Sequence, residues 1–144
     1  MSNAKTQLNE LIEITRDGQR FYQHAAEEVK DARFIALFLD MARAKSELIR
    51  DLSVEVAQEH EAPAQGGTFL GKMRQVYADT RALLSSNESA AYVEQLEEAE
   101  DRILHAFEDA LQSAEPKVQA LAAEKLPQVR AAHDRMRSLK RDTL

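Results

Sequence analysis

Lys45, Glu100 and His133 are the residues of this chain whose types could do chemistry together, a base, an acid and an imidazole, each on an apolar stripe of helical period. Gathered inside a bundle they could move protons or, with further carboxylates, hold a metal ion. Plainer uses compete with that reading. A lysine on an apolar stripe can cover core with its methylenes and keep its ammonium at the rim. It can also pair with Glu100, with His133 hydrogen-bonded nearby. Removing one partner of such a buried pair costs about 3–5 kcal/mol, because the other is stranded. An isolated histidine on an apolar face is usually a satisfied core residue.

The other polar residues offer less. His24 and His105 fall on expected solvent faces and His60 in a loop. Tyr22 and Tyr92 would be relay or redox tyrosines beside a metal, and otherwise core aromatics with a hydrogen-bonded hydroxyl. No cysteine is present, which excludes disulfides, thiolate metal sites and cysteine nucleophiles. No Ser/His/Asp order occurs, and Gly66-Gly67 lacks the strand and lysine of a phosphate loop.

Helices must position the three residues. The first is expected from Thr6, its N-cap, to Val29, with Leu8, Leu11, Ile12, Thr15, Gly18, Tyr22, Ala25 and Val29 at helical spacing. Asp31 can cap a second, whose inner face is Phe34, Ile35, Phe38, Met41, Lys45, Leu48, Ile49, Leu52 and Val56. So short a link makes the two antiparallel. Residues 59–68, with Pro63, Gly66 and Gly67, read as a loop, and Thr68 can cap a shorter helix over about 69–85. A further stretch from Ser89 to Ser113 buries Tyr92, Leu96, Ala99, Ile103, Ala106, Phe107 and Ala110, with Glu100 in the same arc. Pro116 suits the first turn of the last helix, whose stripe is Val118, Leu121, Ala122, Lys125, Leu126, Val129, Ala132, His133, Met136 and Leu139. Pro127 should kink it.

With 44% hydrophobic and 31% charged residues and only four glycines and three prolines, the 144-residue chain reads as one all-α domain over 1–144. A helix of about 17 residues rises roughly 25 Å, enough for the 69–85 segment to cross from one end of a bundle nearly to the other. The second and fourth stretches would then run parallel, in the single-crossover order of ferritin-like folds. A five-helix up-down bundle is the alternative. The longest apolar run, Phe34 to Leu39, is far short of a membrane span, and the first residues lack a secretory pattern, so a cytoplasmic location is expected. A net charge of −6 argues against a general nucleic-acid binder. From Glu88 to Asp109 eight acidic residues stand against Arg102 alone, whereas Lys117 to Arg141 carries seven basic residues against Glu124 and Asp134. These segments are expected side by side.

Three stretches carry a family resemblance: Leu11-Ile-Glu-Ile-Thr-Arg-Asp-Gly-Gln-Arg-Phe-Tyr22, Leu96-Glu-Glu-Ala-Glu-Asp101 and Ala132-His-Asp-Arg-Met-Arg137. The chain resembles an uncharacterised bacterial family of four-helix bundles, a domain of unknown function in the ferritin-like superfamily. The resemblance implies a ferritin-like bundle with a short additional crossover helix, and by fold analogy a stress-associated role. Carboxylate sites of that superfamily take a Glu from each of two helices and Glu-x-x-His from each of the others. Here Glu47-Leu-Ile-Arg50 has arginine at the histidine position, and Arg130-Ala-Ala-His133 has arginine at the glutamate position. The expectation is a non-enzymatic structural or interaction bundle without cofactor, assembled as a homo-oligomer such as a dimer. The alternative is an iron- or manganese-binding, oxidase-like or storage bundle using Glu100, His133, Glu27 and Glu28.

Overall fold

The computed structural model describes residues 4–58 and 88–143. They form four helices and no strand: α1 (Ala4–Glu28), α2 (Ala32–Gln58), α3 (Glu88–Ala110) and α4 (Pro116–Thr143). The described residues are therefore all-α. The expected loop 59–68 and crossover helix 69–85, with His60 and Thr68, lie outside the described residues.

Local chemistry explains most boundaries. Ala4 and Lys5 are strong helix formers and extend α1 past Thr6, which sits inside the helix and is not its cap. Asp31 does cap α2: its Oδ1 accepts the Arg33 N–H at 2.9 Å and its carbonyl the Ile35 N–H at 3.0 Å. The bond from the Arg33 guanidinium holds the Asp31 carboxyl below its ordinary range. Helix α3 stops at Ala110, three residues before the expected Ser113, because Leu111, Gln112 and Ser113 switch to tighter i→i−3 bonds of 3.0–3.2 Å. Pro116 occupies the first position of α4, where its missing N–H costs nothing, and the helix continues through Pro127.

Contacts between named residues give the helix directions. Gly18, Tyr22 and His24 of α1 meet Ile103, Glu100 and Tyr92 of α3 in reversed order, so these two are antiparallel. Glu108, Asp101 and Glu97 of α3 likewise meet Arg130, His133 and Lys140 of α4. The short α1–α2 link reverses the chain, which leaves α2 and α3 parallel. The expected acidic and basic segments do lie against each other, as α3 and α4. Helix α2 reaches α4 through long side chains, Lys117 to Glu55 at 3.4 Å and Lys125 to Asp51 at 2.8 Å. The hydrogen bond that the Lys125 ammonium donates to Asp51 raises its pKa above the ordinary range despite partial burial.

The core falls into two apolar clusters. One gathers Leu8, Leu11 and Ile12 with Leu48, Leu52, Phe107, Val118 and Leu121; the other gathers Phe21 and Ala25 with Phe38, Met41, Tyr92, Leu96 and Met136. Between them, at matching levels of the four helices, stand the buried polar residues Thr15, Asp17, Lys45, Glu100 and His133. The bundle has a polar waist. At Gly18 a Cβ would lie 2.7 Å from Ile103 Cδ1, so a glycine lets α1 and α3 approach closely there.

Candidate functional site

Lys45 and Glu100 meet at the waist. The spacing Phe38, Met41, Lys45, Leu48, Leu52 turns Lys45 inward, and Glu100 follows Leu96 and Ala99 into the same interior. Lys45 Nζ lies 2.6 Å from Glu100 Oε1, with the two side chains 3% and 0% exposed. The second oxygen is also taken, since the Tyr22 hydroxyl donates to Oε2 at 2.6 Å. One carboxylate thus receives a charged and a neutral donor, short bonds of the charge-assisted kind. Burial, followed by the nearby Glu100 charge and the bond to it, pushes the Tyr22 phenol well above its ordinary value. Tyr22 is therefore a neutral donor through the physiological range.

His133 is buried, but it turns elsewhere. Its Nε2 lies 3.3 Å from Asp101 Oδ1 and its Nδ1 3.1 Å from Asp134 Oδ1. The expected bond of His133 beside the Lys45–Glu100 pair is replaced by these two aspartates, because Asp101 follows Glu100 by one residue and so points about 100° around α3. Asp101 also reaches the exposed His105, at 3.6 Å. His133 forms part of a groove of about 480 Å³ between α3 and α4, with Glu97, Glu98 and Asp101 on one side and Arg137, Lys140 and Arg141 on the other. Lys140 reaches Glu97 across it at 3.4 Å.

The remaining expected ligands are scattered. Glu27 is exposed and Glu28 half-buried, and the α1 residue that meets Glu100 is Tyr22, six residues before Glu28. Six residues rise roughly 9 Å along the axis, too far for either glutamate to join Glu100 on one ion. Glu47 is exposed, as its angular position requires. Among the described residues, no group of three or more His, Asp or Glu side chains is gathered to hold a metal ion. With Lys45 on one oxygen of Glu100 and Tyr22 on the other, this donor set does not fit a two-metal carboxylate centre. His24, expected at the surface, is half-buried, its Nε2 3.3 Å from the Tyr92 hydroxyl.

Sequence reasoning found Lys45, Glu100 and His133 as buried polar residues and offered the Lys45–Glu100 pair, but missed that Tyr22 takes the second oxygen of Glu100 and that His133 turns to Asp101 and Asp134. It also missed Asp17, 1% exposed beside Gly18, for which an apolar-stripe pattern carries no signal.

A family model described as a domain of unknown function (DUF2383) matches residues 3–113, and the chain belongs to that family. Tyr22, Lys45 and Glu100 fall inside the match. Helix α4, and His133 with it, lies beyond. No curated protein and no solved structure matches the chain. Among the described residues no helix is long and apolar enough to cross a membrane.

Proposed function

We propose that this member of a family of unknown function is a non-enzymatic, ferritin-like bundle, a structural or protein-interaction module whose waist is closed by an ion pair in place of metal. The carrying observation is the 2.6 Å Lys45–Glu100 contact with both groups out of water. An ammonium supplies positive charge between the helices, as a bound cation would, but offers no open coordination position for a substrate. The parallel course of α2 and α3 between antiparallel pairs supports the ferritin-like order. A stress-associated setting belongs to the same reading and comes from fold analogy alone.

Elemental analysis of protein purified without chelator tests this. Less than a tenth of an equivalent of iron, manganese or zinc is expected on the order-of-magnitude scale that separates occupied from empty sites. Stoichiometric metal that disappears in Glu100→Ala would overturn the proposal in favour of an oxidase-like or storage bundle.

A further inference from the structure

The groove between α3 and α4 carries opposite charge on its two walls, Glu97, Glu98 and Asp101 against Arg137, Lys140 and Arg141, over a volume of about 480 Å³. Most of that charge is already spent. Lys140 reaches Glu97 at 3.4 Å, and the buried His133 lies 3.3 Å from Asp101 and 3.1 Å from Asp134. Arg141 lies back along its own helix, its guanidinium 3.3 Å from the Ser138 hydroxyl. Two charges are left over. Glu98 and Arg137 are exposed, and neither makes a hydrogen bond or ion pair with another described residue. They also share a level of the groove. Glu98 stands between Glu97 and Asp101 on α3, and Arg137 between His133 and Lys140 on α4, so in this antiparallel pair both lie between the same two cross-groove contacts. The unspent charges are thus one carboxylate and one guanidinium, on opposite lips.

We propose that this groove binds a small zwitterion, its carboxylate on Arg137 and its ammonium on Glu98, the chemistry of an ω-amino acid. Charge decides the class. A plain anion such as phosphate would meet Arg137 but also the three carboxylates of the facing wall, and a metal cation would meet those carboxylates but also three cations. A molecule neutral overall and charged at both ends suits the two walls together. The planar guanidinium of Arg137 can hold a carboxylate through two parallel N–H bonds, and an alkylammonium donates to the Glu98 carboxylate. His133 keeps Asp101 occupied, which leaves Glu98 as the acceptor. With about seven heavy atoms and two half-hydrated charged ends, such a ligand binds with a dissociation constant on the order of a millimolar. The proposal stands apart from the reading of the waist: a metal found at Glu100 would leave it intact.

Titration of the full chain with 4-aminobutanoate, followed through its backbone amide NMR signals, tests this, with butanoate and butylammonium as the two half-ligands. Saturable shifts centred on residues 94–101 and 133–141 are expected. The zwitterion should bind at least about threefold tighter than either half, the order of factor that an exposed charge pair contributes. Glu98→Gln should bring 4-aminobutanoate down to the level of butanoate while binding butanoate no more weakly than the parent does. Arg137→Gln should bring it down to the level of butylammonium. Both side chains are exposed and unpaired, so neither change threatens the fold. Equal affinity for the zwitterion and either half overturns the proposal, as does an unchanged affinity in either glutamine variant. Shifts centred elsewhere, or no saturation well above the expected dissociation constant, overturn it too.

Discussion

The waist and the rim of this bundle use the same kinds of side chain to different ends. At the waist Lys45, Glu100 and Tyr22 close on one another with almost no access to water. At the rim, one residue further along α3, His133 meets Asp101 and Asp134, whose side chains are 48% and 67% exposed. Water decides what each arrangement is worth. A charge that is dry in both partners has nowhere to turn when one is removed, whereas an aspartate at the groove edge rehydrates. Similar distances thus carry different energies, and the step between the two regimes is a single residue of helix rotation.

The sharpest way to break that contrast is at Lys45. Lys45→Met keeps the methylene packing but strands the Glu100 carboxylate, and should cost about 3–5 kcal/mol in denaturant unfolding. The double variant Lys45→Met/Glu100→Gln should recover a large share of that loss, because no bare charge remains inside. Independent, additive effects of the two changes would mean that the two groups do not act as a pair.

Tyr22→Phe comes next. It removes the neutral donor to Glu100 and should cost roughly 1.5–3 kcal/mol, the range for hydrogen bonds to a charged group. A pH signature accompanies it. The folded-state value of Tyr22 is raised above its unfolded value of about 10, so the unfolded chain loses this proton first as pH rises. Its contribution is complete below pH about 10 and is lost above it, through the window up to the folded value. Unfolding midpoints of the parent should therefore fall more steeply than those of Tyr22→Phe over that alkaline range. Parallel slopes for the two proteins would show that Tyr22 ionises as freely in the folded state as in the unfolded one.

The sequence made the depth of these residues legible and offered the Lys45–Glu100 pair as one reading, but not the partners of His133 or the Tyr22 bond. Lys45, Glu100 and His133 sit in step with apolar neighbours at three- and four-residue spacing, so their burial follows from helical geometry alone. Which acceptor each finds depends on how the helices are offset along their axes, and period carries no record of that offset. Glu100 and Asp101 are adjacent in sequence, and only the position of α4 sends His133 to the second. The first helix shows a related limit. A one-stripe pattern captured Leu8, Leu11, Ile12 and Tyr22 but left out Asp17, Phe21 and Ala26, all buried. Because α1 packs against both α2 and α3, its inner arc is wider than a single stripe. Gly18 was the available clue, since a glycine in mid-helix permits the close approach that Ile103 makes.

The rim should give the smallest effects, and these should depend on salt. Asp101→Asn removes the carboxylate facing His133 Nε2 but leaves an amide able to accept a hydrogen bond, and its oxygen was already about half in water. A loss of about 0–1 kcal/mol is expected at low ionic strength, shrinking toward nothing near 1 M salt, where the screening length falls to about 3 Å. Lys45→Met, measured in the same buffers, should keep most of its cost at both ends of that series, because no ions enter the dry waist to take over from the ammonium. A loss at Asp101 that matched the Lys45→Met loss and resisted salt would erase the distinction between the two sites. His133, Asp101 and Asp134 would then have to be counted, with Lys45, Glu100 and Tyr22, as one buried network spanning all four helices.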